Sequence, residues 1–337
     1  MKAWSVTGVG APAQVLALGE RDVPEPVPGE VGVEVRAAAV GLPDLFMCRG
    51  QYEFKPRHPF TPGQEVAGVV TDARHAPDLE PGQRVMGVTA FYRGNGGFAE
   101  RATLVADTVW PIPDGMTDVE AAGFSIPFRT GWIGLVARGG LQEGETLLVH
   151  GAAGGTGFAA VQLGHALGAR VLAVASGEEK GAFCREQGAD FVIDRRREDF
   201  VEAVKACTGG RGVDVVFDTV GGETFLRSLD CLDTGGRLLA IGFASGAWAD
   251  APTAQLVARN LSVVGVVAVP PSPEAAAQMK TGLTDLLAAG RIRSVVADTF
   301  AFDQLPEALA AIEAQRGGGK LIIEVAEARE AEARGRS

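Results

Sequence analysis

The most specific chemistry in these 337 residues is carried by Leu147-Leu-Val-His-Gly-Ala-Ala-Gly-Gly-Thr-Gly157, followed by Phe158-Ala-Ala-Val-Gln-Leu-Gly164. An apolar strand candidate runs into a glycine turn and out along a helical stretch, the context in which such turns hold a dinucleotide. Glycine lets the backbone turn tightly and approach a pyrophosphate, whose charge then faces a helix N-terminus. The spacing reads G-x-x-G-G-x-G rather than the commoner G-x-G-x-x-G, so the context carries the assignment. Gly151, Ala153, Gly154, Gly155, Thr156 and Gly157 are the candidate cofactor ligands.

The tip of the next strand selects the cofactor. An NAD site usually places Asp or Glu there to hold the ribose 2′-hydroxyl. Here Val171-Leu-Ala-Val-Ala175 ends in Ser176-Gly177, with Lys180 a helical turn further on. Ser176 and Lys180 suit a 2′-phosphate, which favours NADPH over NADH. Ser176-Gly-Glu-Glu179 also matches a capping box, with Ser as cap and Glu three residues later. The two roles can coexist.

Other constellations are absent or bland. His58, His75, His150 and His165 have no metal-ligand spacing, and His150, closing a strand beside the glycine turn, reads as structural. Cys48, Cys184, Cys207 and Cys231 form no CxxC pair, which argues against a structural zinc site or a disulfide framework and fits a reducing cytoplasm. The net charge of −11 disfavours nucleic acid and anionic membranes as partners. The basic run Arg195-Arg-Arg197 is followed at once by acids and reads as a solvated helix start. MKAWSVTGVG lacks a long apolar core and no 18-residue uncharged apolar run occurs, so neither a secretion signal nor a membrane span is expected.

Positioning these residues requires two domains, which the length also favours. Residues 1 to about 122 read as β-rich, with short runs such as Val31–Arg36 and Glu65–Val70 between Pro/Gly breaks. Val23-Pro-Glu-Pro-Val-Pro-Gly29 reads as an extended connection, since each Pro lacks a donor. From Glu145 the texture alternates. Strand candidates are Thr146–His150, Arg170–Ala175, Phe191–Asp194, Val213–Asp218 and Arg237–Ile241. Helix candidates are Gly155–Leu167, Glu178–Gln187, Asp199–Cys207 and Glu223–Leu232. This alternation predicts an α/β fold with a doubly wound parallel sheet. Leu261–Val267 is a candidate sixth strand, a helical stretch runs from the Pro270–Pro273 break to Ala289, and Lys320–Val325 is a last strand. The tail 326–337 reads as a frayed helix or disorder.

Gly151-Ala-Ala-Gly-Gly-Thr-Gly157, Pro62-Gly-Gln-Glu-Val-Ala-Gly-Val-Val70 and Ile241-Gly-Phe-Ala-Ser-Gly246 resemble the quinone oxidoreductase branch of the medium-chain dehydrogenase/reductase superfamily. Ala38–Asp44, Pro81–Val85 and Gly319–Ile323 follow in family order, so the resemblance spans Met1 to about Val325. It implies a GroES-like catalytic domain built from both chain ends, 1–122 and 268–325, and an inserted Rossmann NADP-binding domain, 123–267, with a six-stranded parallel sheet. An active site in the cleft between them is implied, as is a homodimer pairing through the sixth strands. The edge-like run Val263–Val267 suits such pairing.

Zinc-dependent relatives place Cys at the position of Gly41 and His at that of Gln64, and carry a four-Cys lobe where this chain has only Phe91–Gly97. The resemblance therefore implies a zinc-independent enzyme. Quinone oxidoreductases commonly have Asn where Gly41 stands, so Gly41 leaves open space beside the nicotinamide. Tyr52 becomes the candidate to orient a carbonyl or donate a proton, or else an aromatic filler beside Phe54 and Phe60. Asp44 becomes either a catalytic group or a cap for the helix beginning at Leu45. The resemblance also places Thr130 near the nicotinamide, Gly242, Phe243, Ala244 and Ser245 at its carboxamide end, and Thr219 and Val220 by the ribose. Arg195, often Tyr in relatives, and Arg316 would approach the adenosine phosphate. The implied activity is NADPH-dependent hydride transfer to a quinone or activated α,β-unsaturated carbonyl. An enoyl-thioester or enone reductase, and a non-catalytic crystallin-like NADPH binder, are the alternatives.

Overall fold

The computed structural model describes residues 1–325; the tail 326–337 read above lies outside the described residues. The first 145 residues form seven strands, β1 (Lys2–Val6), β2 (Leu16–Glu20), β3 (Glu30–Val40), β4 (Glu65–Asp72), β5 (Arg84–Val88), β6 (Arg101–Val105) and β7 (Trp110–Pro111). Helices α1 (Pro12–Val15), α2 (Leu42–Cys48), α3 (Asp118–Ala122) and α4 (Ser125–Trp132) punctuate them. The alternating units follow as β8 (Thr146–His150), α5 (Gly155–Ala166), β9 (Arg170–Ala175), α6 (Glu178–Glu186), β10 (Phe191–Asp194), α7 (Phe200–Cys207), β11 (Val213–Asp218), α8 (Gly222–Ser228) and β12 (Leu232–Ala240). Then come α9 (Thr253–Arg259), β13 (Ser262–Gly265), α10 (Pro273–Ala288), β14 (Val296–Ala301), α11 (Leu305–Glu313) and β15 (Lys320–Glu324). Residues 21–27 have no regular structure, as the repeated Pro dictates.

Two compact units result: 1–126 with 294 onward, and 127–293. In the first, both chain ends meet in one sheet ordered β14-β15-β3-β4-β5-β7, with β6 also paired to β3. This is the expected GroES-like, β-rich architecture. Long β3 pairs β6 through its first half and β15 through its second, and its valines enter a core with Leu45, Phe98 and Leu104.

The second unit is a parallel sheet of six strands ordered β10-β9-β8-β11-β12-β13, the expected Rossmann arrangement. Its central strands are unbroken apolar runs because helices cover both faces, and Leu147, Leu148, Leu172 and Phe217 are fully buried. Strand order reverses between β8 and β11, the position where such sheets bind ligands beyond the strands' carboxyl ends.

Several boundaries differ from the sequence reading. The return to the first unit comes at 294, not 268. Gly282 of α10 lies under Trp132, where a Cβ would meet the indole at 2.0 Å. Arg293 is tied through N–H and carbonyl to the Gln162 amide on α5, at 2.7 and 3.2 Å. α10 is therefore a covering helix of the parallel-sheet unit. β12 starts at Leu232 rather than Arg237, with Gly235 at φ +81° inside a register shift against β11. α8 ends at Ser228, whose Oγ bonds the Thr224 carbonyl at 2.6 Å and is 2.8 Å from His150 Nε2. α4 had no legible signal. Among the described residues no helix is long and apolar enough to cross a membrane.

Candidate functional site

Beyond β8 the chain turns at Gly151, which has φ +62°, the left-handed region that glycine tolerates. A Cβ there would meet Thr219 Oγ1 at 2.5 Å, and one at Gly157 would meet the Gly151 carbonyl oxygen at 2.1 Å. Gly157 is thus required by close backbone approach, and Gly151 by its left-handed φ and the Thr219 hydroxyl packed against it. Gly154 caps α5, and its added Cβ would meet nothing nearer than 3.2 Å. The first-turn N–H groups of any helix lack intrahelical acceptors, so Gly155, Thr156 and Gly157 offer donors where a pyrophosphate would lie. α4 packs along this helix, Phe128 edge-on to Phe158 at 5.8 Å, and holds buried Thr130.

At the tips of β9 and β10 the expected phosphate residues gather. Arg195 Nε donates to Ser176 Oγ at 2.5 Å. Asp194 accepts from the N–H groups of Gly177 (2.9 Å) and Arg196 (3.1 Å), tying the two tips together. These bonds hold the Asp194 carboxyl below its ordinary range. Burial, then the Arg196 and Arg195 guanidinium groups, depresses the Lys180 ammonium. Lys180, Arg195 and Arg196 thus converge, with Glu179 and Asp194 as the neighbouring carboxylates, and such a concentration of cations favours a bound phosphate.

Two readings are corrected here. Ser176 is not the α6 cap: that position is Gly177 at φ +85°, with no side-chain cap, because the Ser176 hydroxyl is taken by Arg195. The 195–197 run is not a helix start either. It is a turn after β10, and α7 begins at Phe200 with Asp199 as its cap. Arg196 was missed in the sequence, where its neighbours made it look solvated; its Nη1 lies 3.3 Å from a Cβ built on Gly177.

On the other side of the switch point, buried Asp218 accepts from Val220 N–H at 2.8 Å and Gly221 N–H at 3.1 Å. Thr219 Oγ1 donates to the His150 carbonyl at 3.0 Å. The Gly242–Ser245 turn is pinned to this segment by Ala244 N–H to Thr219 O (3.1 Å) and Ser245 N–H to Val220 O (2.9 Å). Thr219, Val220 and Gly242 to Ser245 are therefore one assembly. His150 is structural, as expected: buried, edge-on to Phe200 at 4.9 Å, with burial driving its pKa down to about 3.

Gly41, Asp44 and Tyr52 lie in the first unit. α2 begins at Leu42, three residues before the expected start, with Gly41 as cap and Asp44 in its first turn. Asp44 still caps, but backwards: Oδ2 accepts from Gly41 N–H and Oδ1 from Gly63 N–H, each at 2.9 Å. Burial outweighs these bonds and raises its carboxyl to about 6. Tyr52 is half-buried against the first unit's core, its ring 6.0 Å from Phe54. Burial raises its phenol pKa, with the Gln64 side chain hydrogen-bonded to it. Packing and a polar contact thus coexist at Tyr52. Arg316 is exposed just past the turn after α11, in the first unit.

Gly41 has no donor atom, and the Gln64 amide faces Met47 Sδ at 4.0 Å and the Tyr52 hydroxyl. This donor set does not fit a tetrahedral zinc site. Among the described residues no group of three or more His, Cys, Asp or Glu is arranged to hold a metal ion.

Residues 27–114 match the alcohol dehydrogenase GroES-like domain family, and 155–287 the zinc-binding dehydrogenase family. The chain is 33% identical over 300 residues to a quinone oxidoreductase-like protein 2 homolog of Nematostella vectensis, covering 87% of this chain and 81% of the relative. The quinone oxidoreductase of Escherichia coli, solved with NADPH, superposes with a TM-score of 0.88 at 28% identity, covering 96% of this chain and 100% of that one. The quinone oxidoreductase of Thermus thermophilus, also solved with NADPH, gives 0.81 at 32%, over 96% and 100%.

Proposed function

The chain belongs to the quinone oxidoreductase branch of the medium-chain dehydrogenase/reductase superfamily, and we propose that within it the protein is a zinc-independent, NADPH-dependent reductase of quinones or activated α,β-unsaturated carbonyls. The observation that carries the cofactor choice is the cluster of Ser176, Lys180, Arg195 and Arg196 beyond a strand, β9, that ends in Ala175-Ser176 rather than in Asp or Glu, although Glu178 and Glu179 open the helix that follows. Asp194 is nearby, but its carboxylate is engaged by two backbone N–H groups.

Bound NADPH would supply the hydride; the protein supplies alignment and exclusion of water. Gly151 to Gly157 would hold the pyrophosphate, and the 219–220 and 242–245 segments the nicotinamide half. Tyr52 is suited to donate a hydrogen bond or proton to a carbonyl oxygen. A phenol is protonated at neutral pH, burial raises the Tyr52 pKa further, and the Gln64 side chain lies beside it. Asp44 ties the Gly41 and Gly63 backbones together behind it. A side chain at Gly41 would have its Cβ 3.2 Å from Pro43 Cδ, so the family's Asn would require only a small shift of that ring. Four free cysteines, three of them buried, suit a reducing compartment.

Titration with NADPH and NADH tests this reading. Lys180→Ala or Arg195→Ala should weaken NADPH by roughly 1.5–3 kcal/mol, about 10- to 160-fold, and NADH far less. Equal losses for both cofactors would reduce the cluster to a structural tie between β9 and β10.

A further inference from the structure

Trp248 is 62% exposed, whereas Trp4 and Trp110 are each 6% exposed and Trp132 is half-buried. Single exposed apolar side chains are ordinary. This one is held: its ring stacks on Phe243 with centroids 4.7 Å apart and planes at 34°, so one indole face is covered and the other is open. The segment beneath is stiff. Phe243 sits in the turn pinned to Thr219 and Val220, Gly246 N–H closes back on the Phe243 carbonyl at 2.7 Å, and Ser245 Oγ reaches the Ala247 carbonyl at 3.3 Å. Gly221 abuts this backbone, where a Cβ would lie 2.8 Å from Ala247 O and 3.2 Å from Phe243 Cα.

Its place in the sheet gives the pair a use. The cationic cluster at β9 and β10 marks the adenosine side, and a dinucleotide lying across the switch point puts its nicotinamide on the β11 and β12 side. The Phe243–Trp248 pair follows β12 directly. Electron-rich indole faces favour offset stacking on flat rings, and quinones and aryl enones present flat, electron-poor ones.

We propose that the Phe243–Trp248 pair is a stacking platform for the ring of a planar conjugated acceptor, which makes Trp248 a determinant of acceptor specificity. The proposal rests on the reductase reading above, and its test separates the two. Trp248→Ala should raise the KM for naphthoquinone about tenfold more than that for methyl vinyl ketone, which has no ring, while Trp248→Phe keeps most of the difference. The fluorescence of the NADP⁺-loaded protein gives a readout free of turnover. Naphthoquinone should quench it saturably, and Trp248→Phe should abolish that component while the other three tryptophans still emit. Quenching without turnover of any acceptor contradicts the reductase reading and upholds the platform. Turnover with equal KM changes for both acceptors, or with no Trp248-dependent quench, overturns the platform. It is equally overturned if Trp248→Ala instead lowers the thermal midpoint and NADPH affinity together, or shifts the sedimentation coefficient by uncovering a contact with a second copy.

Discussion

Tyr52 bears the sharpest test at the scale of single residues. If its phenol serves the acceptor carbonyl, Tyr52→Phe should lower kcat/KM for enones about 100-fold with NADPH affinity and thermal stability nearly unchanged. Quinones can take their protons from solvent, so their loss should be smaller. Full activity on both acceptors would make Tyr52 packing only. Asp44 gives a pH signature. Its carboxyl is held at about 6 against an ordinary 3.8, first by burial, with Glu65 adding to the rise and Lys320 opposing it. The native state therefore binds more protons than the unfolded chain between those values, so Asp44's contribution to stability falls as pH rises from 3.8 to about 6. Asp44→Asn should flatten that part of the melting-temperature profile and lower stability near neutrality, where the carboxylate serves two N–H groups. An unchanged slope would contradict this. Residue types made Ser176 and Lys180 legible in the sequence. The approach of Arg196 was hidden because it depends on a turn that folds it over Gly177, and Asp44's reversed cap because Gly63 is remote in sequence.

Among elements, the glycine turn makes the cleanest prediction. Gly157→Ala places a Cβ 2.1 Å from a backbone oxygen that cannot move alone, whereas Gly154→Ala meets its nearest atom at 3.2 Å. The first should cost about 1–3 kcal/mol of stability and weaken NADPH and NADH alike, and the second should leave a folded protein. Thermal melts with cofactor titrations read both, and equal effects would contradict the assigned geometry. β8 to β11 were legible to the residue because each is a β-branched or Leu-rich run bounded by turn residues. β12 was not, since a glycine pair inside a strand reads as a break until a neighbouring register shift absorbs it. α10 was assigned to the wrong unit because an amphipathic helix carries no address; a glycine opposite Trp132 gives it one.

At the scale of the molecule, the two-domain α/β plan was readable from alternation of texture and motif order. What sequence could not supply is which unit each late element joins, since Gln162 and Arg293 meet only through the fold. The architecture is shared with reductases solved with NADPH, so turnover by this chain is the deciding property. The most direct measurement is steady-state oxidation of NADPH and of NADH by chelator-treated protein, with naphthoquinone, an enone and an enoyl thioester as acceptors. The predicted result is saturable, zinc-independent turnover of quinone or enone, with kcat/KM for NADPH at least about tenfold that for NADH, as one charge-assisted phosphate contact implies. Tight NADPH binding with no turnover of any acceptor, or activity that returns only with added zinc, would contradict it.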